Sequence, residues 1–364
     1  MYEKELEALK KAGRFRERIL YSDMLDDFAS NDYLGLSKRK KSFKRAVKMM
    51  KEYSTFSPRA SQLVNGYHSI HYLLELEMAK MNGFEKGMIV GSGFLANLAL
   101  IEALVRKGDM LFLDEAYHAS GQLAAQLHPG QVVTFKHNDV ENLKENLLKH
   151  TAKRRIIAVE GVYSMEGDLC VREIFEVAEE FEALLIVDEA HSSGILGENL
   201  LGIFEHYGII PNEHHIKMGT LGKAYGSYGA YILASKTIIS FLENRAKSVI
   251  YTTAPSVFDT ALAYVNMQHI QKNVKKFHKK IFERQAIVKQ ESGAVCESLI
   301  FPIEVPDNAF ALFMQKGLMK QNYLVGAIRQ PTVTKPILRI ILNITESTKK
   351  LHHLLKLIRI NLVQ

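Results

Sequence analysis

Between residues 86 and 234 the chain alternates short apolar runs, rich in β-branched residues, with stretches of helical length. The runs are GMIV (87–90), MLFLD (110–114), QVVTF (131–135), RIIAVE (155–160), ALLIVD (183–188), HIKMG (215–219) and YGAYILA (228–234). Apolar strands spaced by helices predict a mostly parallel sheet covered on both faces. One connection differs. Between Gly219 and Tyr228 there is no room for a crossover helix, so the last strand is predicted to run antiparallel to its predecessor. The expected fold class is therefore α/β, with a seven-stranded sheet in which one strand is reversed.

The flanks read differently. The first forty residues form a basic amphipathic helix followed by a turn-rich stretch, SNDYLGLS. Beyond Pro255 a long Lys-rich helical stretch leads into a smaller α+β region. The expected division is an N-terminal arm at 1–40, a large α/β domain at 41–255 and a C-terminal α+β domain at 256–364.

Composition narrows the class. Of 364 residues, 47% are apolar, enough for a sizeable core. The two cysteines, Cys170 and Cys296, are far apart and form no CxxC pair, which fits a reducing, cytoplasmic setting without a disulfide framework. The opening residues are charged throughout, so no secretory signal is expected, and no apolar run reaches membrane-spanning length. The net charge of +7 is spread over residues 38–51, 272–280 and 349–359, which read as solvated helix faces; a nucleic-acid-binding module would rest on charge alone. Histidine pairs at 68/71, 214/215 and 352/353 lack cysteine or carboxylate partners at ligand spacing, so no metal is expected.

Open α/β sheets bind ligands at the carboxyl ends of their strands. Asp114, Glu160 and Asp188 each close a predicted strand there, and Lys223 follows a fourth within TLGKAYGSYG. A lysine beyond a buried strand, on a glycine-rich turn, can be desolvated enough to serve as a nucleophilic amine. Its plain alternative is a surface lysine. Asp188 favours the chemical reading, because a carboxylate opposite a pyridine nitrogen keeps that ring protonated and electron-withdrawing; its plain alternative is a helix N-cap. His191 lies in the same loop, and His118, in YHAS, follows the strand that Asp114 closes. An imidazole there could stack on a flat ring. In GSGFLAN, Gly91 and Gly93 follow a strand and open a helix, whose free N–H groups suit a phosphate.

Two other classes compete. GSGFLA also meets the dinucleotide fingerprint, with Asp114 placed as the ribose-binding acid, which would make a nicotinamide-dependent oxidoreductase. DEAH at 188–191 suggests an NTPase, but KMGTLGK lacks the first glycine and the hydroxyl residue of a phosphate loop.

Over almost the whole chain the ordered motifs NDYLGLS, GYHSIHYLLE, SGFLAN, YHAS, HND, EGVYSMEGD, DEAHSSGILGE and TLGKAYG resemble the α-oxoamine synthases, a family of pyridoxal-phosphate enzymes. That resemblance implies an aspartate-aminotransferase-like fold (PLP fold type I), an acyltransferase activity and pyridoxal phosphate as cofactor. It implies Lys223 as the lysine carrying the cofactor as a Schiff base and as the base for the α-proton. Asp188 would pair the ring nitrogen, His191 and Ser164 would hold the ring oxygen, and His118 would stack. Gly93, Phe94 and Thr220 would bind the phosphate, joined by Thr252 and Thr253 from a partner subunit, which implies a homodimer. Asn31 and Arg339 would lie near the amino-acid carboxylate, and Arg16 and Thr332 would touch the acyl substrate.

Within the family, AIRQPTV at 327–333 is similar to the AIRPPTV stretch of the members that condense L-alanine with a pimeloyl thioester for biotin biosynthesis. A sister reaction, such as glycine C-acetyl transfer, is the near alternative. The acyl carrier, coenzyme A or an acyl carrier protein, stays open. Two departures bear on the acyl end: FSPRASQLVNGY replaces a Gly/Ser-rich run, and Gln330 replaces a proline.

Overall fold

The computed structural model describes residues 1–363, with side chains described through Asn361. The strands in chain order are β1 (Asp26–Phe28), β2 (Lys86–Val90), β3 (Met110–Asp114), β4 (Gln131–Phe135), β5 (Arg155–Glu160) and β6 (Leu184–Asp188). They continue with β7 (His215–Thr220), β8 (Ala230–Ala234), β9 (Ile300–Glu304), β10 (Tyr323–Ile328) and β11 (Ile337–Ile341). The chain divides into two compact units. The smaller holds Met1–Tyr33, Met165–Gly167 and Lys279–Gln364, and the larger holds Leu34–Ser164 and Asp168–His278.

The larger unit is built on a seven-stranded sheet in the order β2-β8-β7-β6-β5-β3-β4. Only β8 runs against its neighbours, β2 and β7. All seven strands fall where the apolar runs predict them, including the reversed one. The reason is local: β7 and β8 are joined by a nine-residue turn, 221–229, too short to carry the chain back to the other edge. Gly226 is needed there, at φ +56°, because a Cβ would sit 2.6 Å from the backbone of Leu36 and Ser37.

Strands β3, β6 and β8 are buried almost throughout, as expected for a sheet with helices on both faces. The edge strand β4 keeps several residues exposed. Helix Gly93–Leu104 contributes Ala96, Ala99, Leu100 and Ala103 to a hydrophobic core cluster with Leu111, Ile156, Ile186, Met218 and Ile232. Each fully buried aliphatic side chain contributes about 1.5–3 kcal/mol.

The register sets the chemistry. Glu160 pairs with Asp188, and Asp188 pairs with Met218, so the polar strand ends align at one edge. The chain steps outward from β3 to β4 and then back across to β5, making a switch point between β3 and β5.

The smaller unit has a four-stranded sheet in the order β1-β10-β11-β9, with β1 parallel to β10 and the other pairs antiparallel. Helices Asn308–Lys320 and Thr348–Val363 belong to this unit. Among the described residues no helix is long and apolar enough to cross a membrane.

Candidate active site

A cavity of about 210 Å³ opens at the carboxyl edge of the large sheet, and among its lining residues are Gly93, Phe94, His118, Asp188, His191, Thr220 and Lys223. These lie at or just beyond the carboxyl ends of β2, β3, β6 and β7, so residues spread over 130 positions, from Gly93 to Lys223, converge because their strands end at one edge.

Lys223 Nζ lies 2.7 Å from His191 Nε2. Asp188 is almost wholly buried, and its Oδ1 accepts the Ala190 N–H at 3.0 Å. It therefore turns its own loop. The helix N-cap expected as the plain alternative is not formed, since residues 189–200 run as turns. His118 Nδ1 lies 2.7 Å from Ser120 Oγ, and burial holds its basicity below the ordinary histidine value, Asp188 raising it and Lys223 lowering it again.

At Gly93 a helix begins, and Ser92 Oγ caps it by accepting the Leu95 N–H at 3.2 Å. The first N–H groups of a helix have no partner inside it, which leaves Gly93 and Phe94 presenting donors to the cavity. Thr220 adds a hydroxyl that donates to Gly229 O at 3.0 Å and accepts the Gly222 N–H at 3.3 Å. A primary amine, a buried carboxylate, an imidazole and an anion-binding helix terminus in one cavity fit a phosphorylated pyridine aldehyde such as pyridoxal phosphate.

Ser164 is buried, and its N–H donates to Glu160 Oε2 at 3.1 Å. Thr252 is half-buried and Thr253 exposed, and neither lines this cavity in its own chain.

The four expected substrate contacts lie in the smaller unit and pair with one another. Arg339, on β11, donates from Nη1 to Asn31 Oδ1 at 3.0 Å. Arg16 donates from Nη2 to Thr332 Oγ1 at 2.9 Å, across 316 positions of chain. A cavity of about 340 Å³ is lined by Arg14, Arg16, Arg329, Gln330 and Thr332. Arg329 reaches the carbonyls of Gly13 (2.7 Å) and Phe15 (3.3 Å), fastening the N-terminal arm. Gln330, the departure from proline, donates from its amide to Thr334 O at 2.7 Å and so closes its own loop.

The dinucleotide reading fails on Asp114. Its Oδ1 accepts the Ala116 N–H and faces His137 Nδ1 at 3.1 Å, while Oδ2 accepts from Tyr163 OH and the Asn138 N–H. Wholly buried with both oxygens engaged, it has nothing left for a ribose. Nor is β2 beside β3: β8 pairs with β2, and β4 and β5 flank β3. The NTPase reading fails too, since no helix follows Lys223 directly. A larger cavity, about 700 Å³, sits at the opposite, amino edge of the sheet around Arg155, Leu184 and Ser235 and brings no comparable set of groups together. Among the described residues no cluster of metal-ligating side chains occurs.

Four residues of the site went unassigned in the sequence: Asn97, Tyr117, Ser120 and Glu160. Asn97 Nδ2 donates to Asp188 Oδ2 and to Ser120 Oγ, both at 2.9 Å, and its Oδ1 accepts from Tyr117 OH at 2.7 Å. Glu160 was noted only as a strand end. For Asn97 the available signal was its place one turn after Gly93, on the same helix face.

Residues 24–358 match the aminotransferase class I and II family, and the chain belongs to it. It is 44% identical over 356 residues to an 8-amino-7-oxononanoate synthase from Helicobacter pylori strain 26695, covering 96% of this chain and 95% of that one. A putative 8-amino-7-oxononanoate synthase from Aquifex aeolicus is 38% identical, covering 92% and 90%. Among solved structures, a serine palmitoyltransferase from S. paucimobilis superimposes with a TM-score of 0.87 at 21% identity, over 98% of this chain and 96% of that one. An 8-amino-7-oxononanoate synthase from Francisella tularensis gives 0.75 at 25% identity, over 93% and 99%.

Proposed function

We propose that this chain is a pyridoxal-phosphate-dependent acyltransferase that condenses L-alanine with a pimeloyl thioester, releases carbon dioxide and forms 8-amino-7-oxononanoate. The observation that carries the reading is the cavity joining Lys223, Asp188, His118 and His191 in a chain 44% identical, along nearly its full length, to a protein of that name.

When bound, pyridoxal phosphate supplies an electron sink for the pair left on the alanine α-carbon. The chain's own groups do the rest. Asp188 would offer its buried, hydrogen-bonded carboxylate to the ring nitrogen, and the Gly93 and Phe94 N–H groups with Thr220 would hold the phosphate. His191 and Ser164 would hold the ring oxygen, and His118 would stack on the ring. Lys223 Nζ takes the α-proton and later returns one, with His191 orienting it from 2.7 Å. Arg339, fixed by Asn31, binds the amino-acid carboxylate, and Arg16 with Thr332 binds the acyl substrate. Both arginines carry the positive charge that the carboxylates of alanine and of the pimeloyl chain require.

The working form in this reading is a homodimer in the cytoplasm, with Thr252 and Thr253 completing the phosphate site of the partner. Exposed apolar side chains support a second copy: Tyr72 and Leu76, four apart on helix Ser69–Asn82, with Leu63, Val64 and Tyr251 elsewhere on the same unit. The acyl carrier is coenzyme A or an acyl carrier protein.

The test is a substrate panel. L-alanine, glycine and L-serine are each paired with pimeloyl, acetyl and palmitoyl thioesters, and carbon dioxide release is measured. The reading predicts turnover with alanine and pimeloyl above the other pairs. Turnover with glycine and an acetyl thioester instead would reassign the chain to a sister reaction.

A further inference from the structure

Asn97 carries no assigned role, yet both hydrogens and the oxygen of its amide are engaged. The residue is 1% exposed and stands one helical turn after Gly93, where the Cβ direction points back toward the carboxyl edge of the sheet. One amide hydrogen goes to Asp188 Oδ2 and the other to Ser120 Oγ, both at 2.9 Å. Its oxygen receives the Tyr117 hydroxyl at 2.7 Å. A flipped amide would set its oxygen against the Asp188 carboxylate, so the orientation is determined by its partners.

The consequences run in two directions. Toward Asp188, the carboxylate gains a donor on Oδ2 to match the Ala190 N–H on Oδ1, so it is held at both oxygens and cannot rotate. Toward His118, Ser120 Oγ accepts the Asn97 hydrogen and lies 2.7 Å from His118 Nδ1, which already accepts a backbone N–H, so the serine hydrogen goes to that nitrogen. The Ser120 N–H points at the same nitrogen at 3.2 Å. With Nδ1 accepting, neutral His118 carries its proton on Nε2. The motif YHASG supplies the partners of Asn97 on the His118 side. Tyr117 polarises the amide, Ser120 relays it, and Gly121 leaves room for the Tyr117 ring, which a Cβ would meet at 2.1 Å.

We propose that Asn97 is a positioning residue acting on Asp188 and His118 at once: it fixes the Asp188 carboxylate and, through Ser120, holds His118 as the Nε2–H tautomer. The inference rests on the pyridoxal-phosphate reading for the Asp188 arm. The His118 arm is a property of the chain alone.

The experiment compares wild type with Asn97→Ala, Asn97→Asp and Ser120→Ala. Three readouts are used: the pyridoxal-phosphate dissociation constant, the pH midpoint of the bound cofactor's visible spectrum, and ¹⁵N-histidine spectra of the cofactor-free protein with His118 assigned by His118→Asn. A hydrogen bond to a charged group is worth about tenfold or more in binding. Asn97→Ala is therefore expected to weaken cofactor binding by about that factor, to move the spectral midpoint and to release the His118 tautomer. Ser120→Ala should release the tautomer while leaving the spectral midpoint in place. Asn97→Asp keeps the shape but turns a donor into an acceptor facing Asp188, so it carries the test even where the alanine variant fails to fold. Variants that melt earlier yet keep wild-type binding, midpoint and tautomer would overturn the proposal, leaving Asn97 a packing residue. If wild type takes up no cofactor, the functional reading falls first and the Asp188 arm with it. If wild type binds and both Asn97 variants bind alike, only the Asp188 arm falls.

Discussion

Lys223 Nζ and His191 Nε2 meet at 2.7 Å, joining the turn between β7 and β8 to the loop that follows β6. The contact holds the amine over the cavity before any ligand arrives. A hydrogen bond to a charged or reacting amine is worth about 1.5–3 kcal/mol, or roughly 10- to 100-fold in rate. His191→Ala is expected to lower kcat within that range with little change in Tm. Steady-state kinetics beside a melting curve checks this, and an unchanged kcat would remove His191 from the site.

Arg339 is almost wholly buried, and Asn31 fixes its guanidinium at 3.0 Å. A planar fork matches a carboxylate in a way an ammonium does not. Arg339→Lys is expected to raise KM for L-alanine by about tenfold or more while leaving KM for the thioester near its original value. An equal rise in both constants would mean that the arginine serves the fold of its own unit.

Beneath the site, Lys217 and Glu189 form a fully buried ion pair at 3.2 Å. Glu189 also accepts from Ser192 Oγ and from the Ile203 N–H, while Lys217 donates to Leu201 O. Burial pulls the lysine pKa down, and Glu189 opposes that pull. Removing one partner strands the other charge, so Lys217→Met is expected to cost about 3–5 kcal/mol in denaturant unfolding. A loss below about 1 kcal/mol would contradict the pairing.

Two histidines give opposite pH dependences. His137 stands between Asp114 (3.1 Å) and Asp168 (2.9 Å); burial opposes its charge, but the two carboxylates prevail and push its pKa up to about 10. Its contribution to stability is full below the unfolded value near 6.5 and is lost as pH rises through about 10. His71 goes the other way. Burial lowers it to about 4 despite its bond to Pro255 O, so its contribution holds above about 6.5 and is lost as pH falls through about 4. His137→Asn should flatten the alkaline limb of a Tm-against-pH profile, and His71→Asn the acid limb. Profiles parallel to wild type would contradict both assignments.

Much of this architecture was legible because the signals were local. Seven apolar runs gave seven strands, and a short connection after β7 reversed β8. Polar residues at strand ends pointed to Asp188 and Lys223, since the carboxyl edge of such a sheet is where ligands bind. What could not be read depended on contacts across the chain. Strand β1 is three residues long and exists by pairing with residues 323–325. Asn97, Tyr117 and Ser120 are ordinary residues until helix 93–104 and the loop after β3 bring them within 3 Å of one another. Glu160 sat in view at a strand end, but its link to Ser164 needed the loop geometry.

The central claim is that Lys223 holds pyridoxal phosphate in a cavity that accepts L-alanine. The most direct test is the visible absorption spectrum of the protein supplied with pyridoxal phosphate, before and after L-alanine, beside Lys223→Ala. The account predicts a yellow wild-type protein whose band shifts with alanine, and a variant in which the lysine-dependent band is missing. A wild-type protein that stays colourless, or a variant whose spectrum and alanine response match wild type, would contradict it.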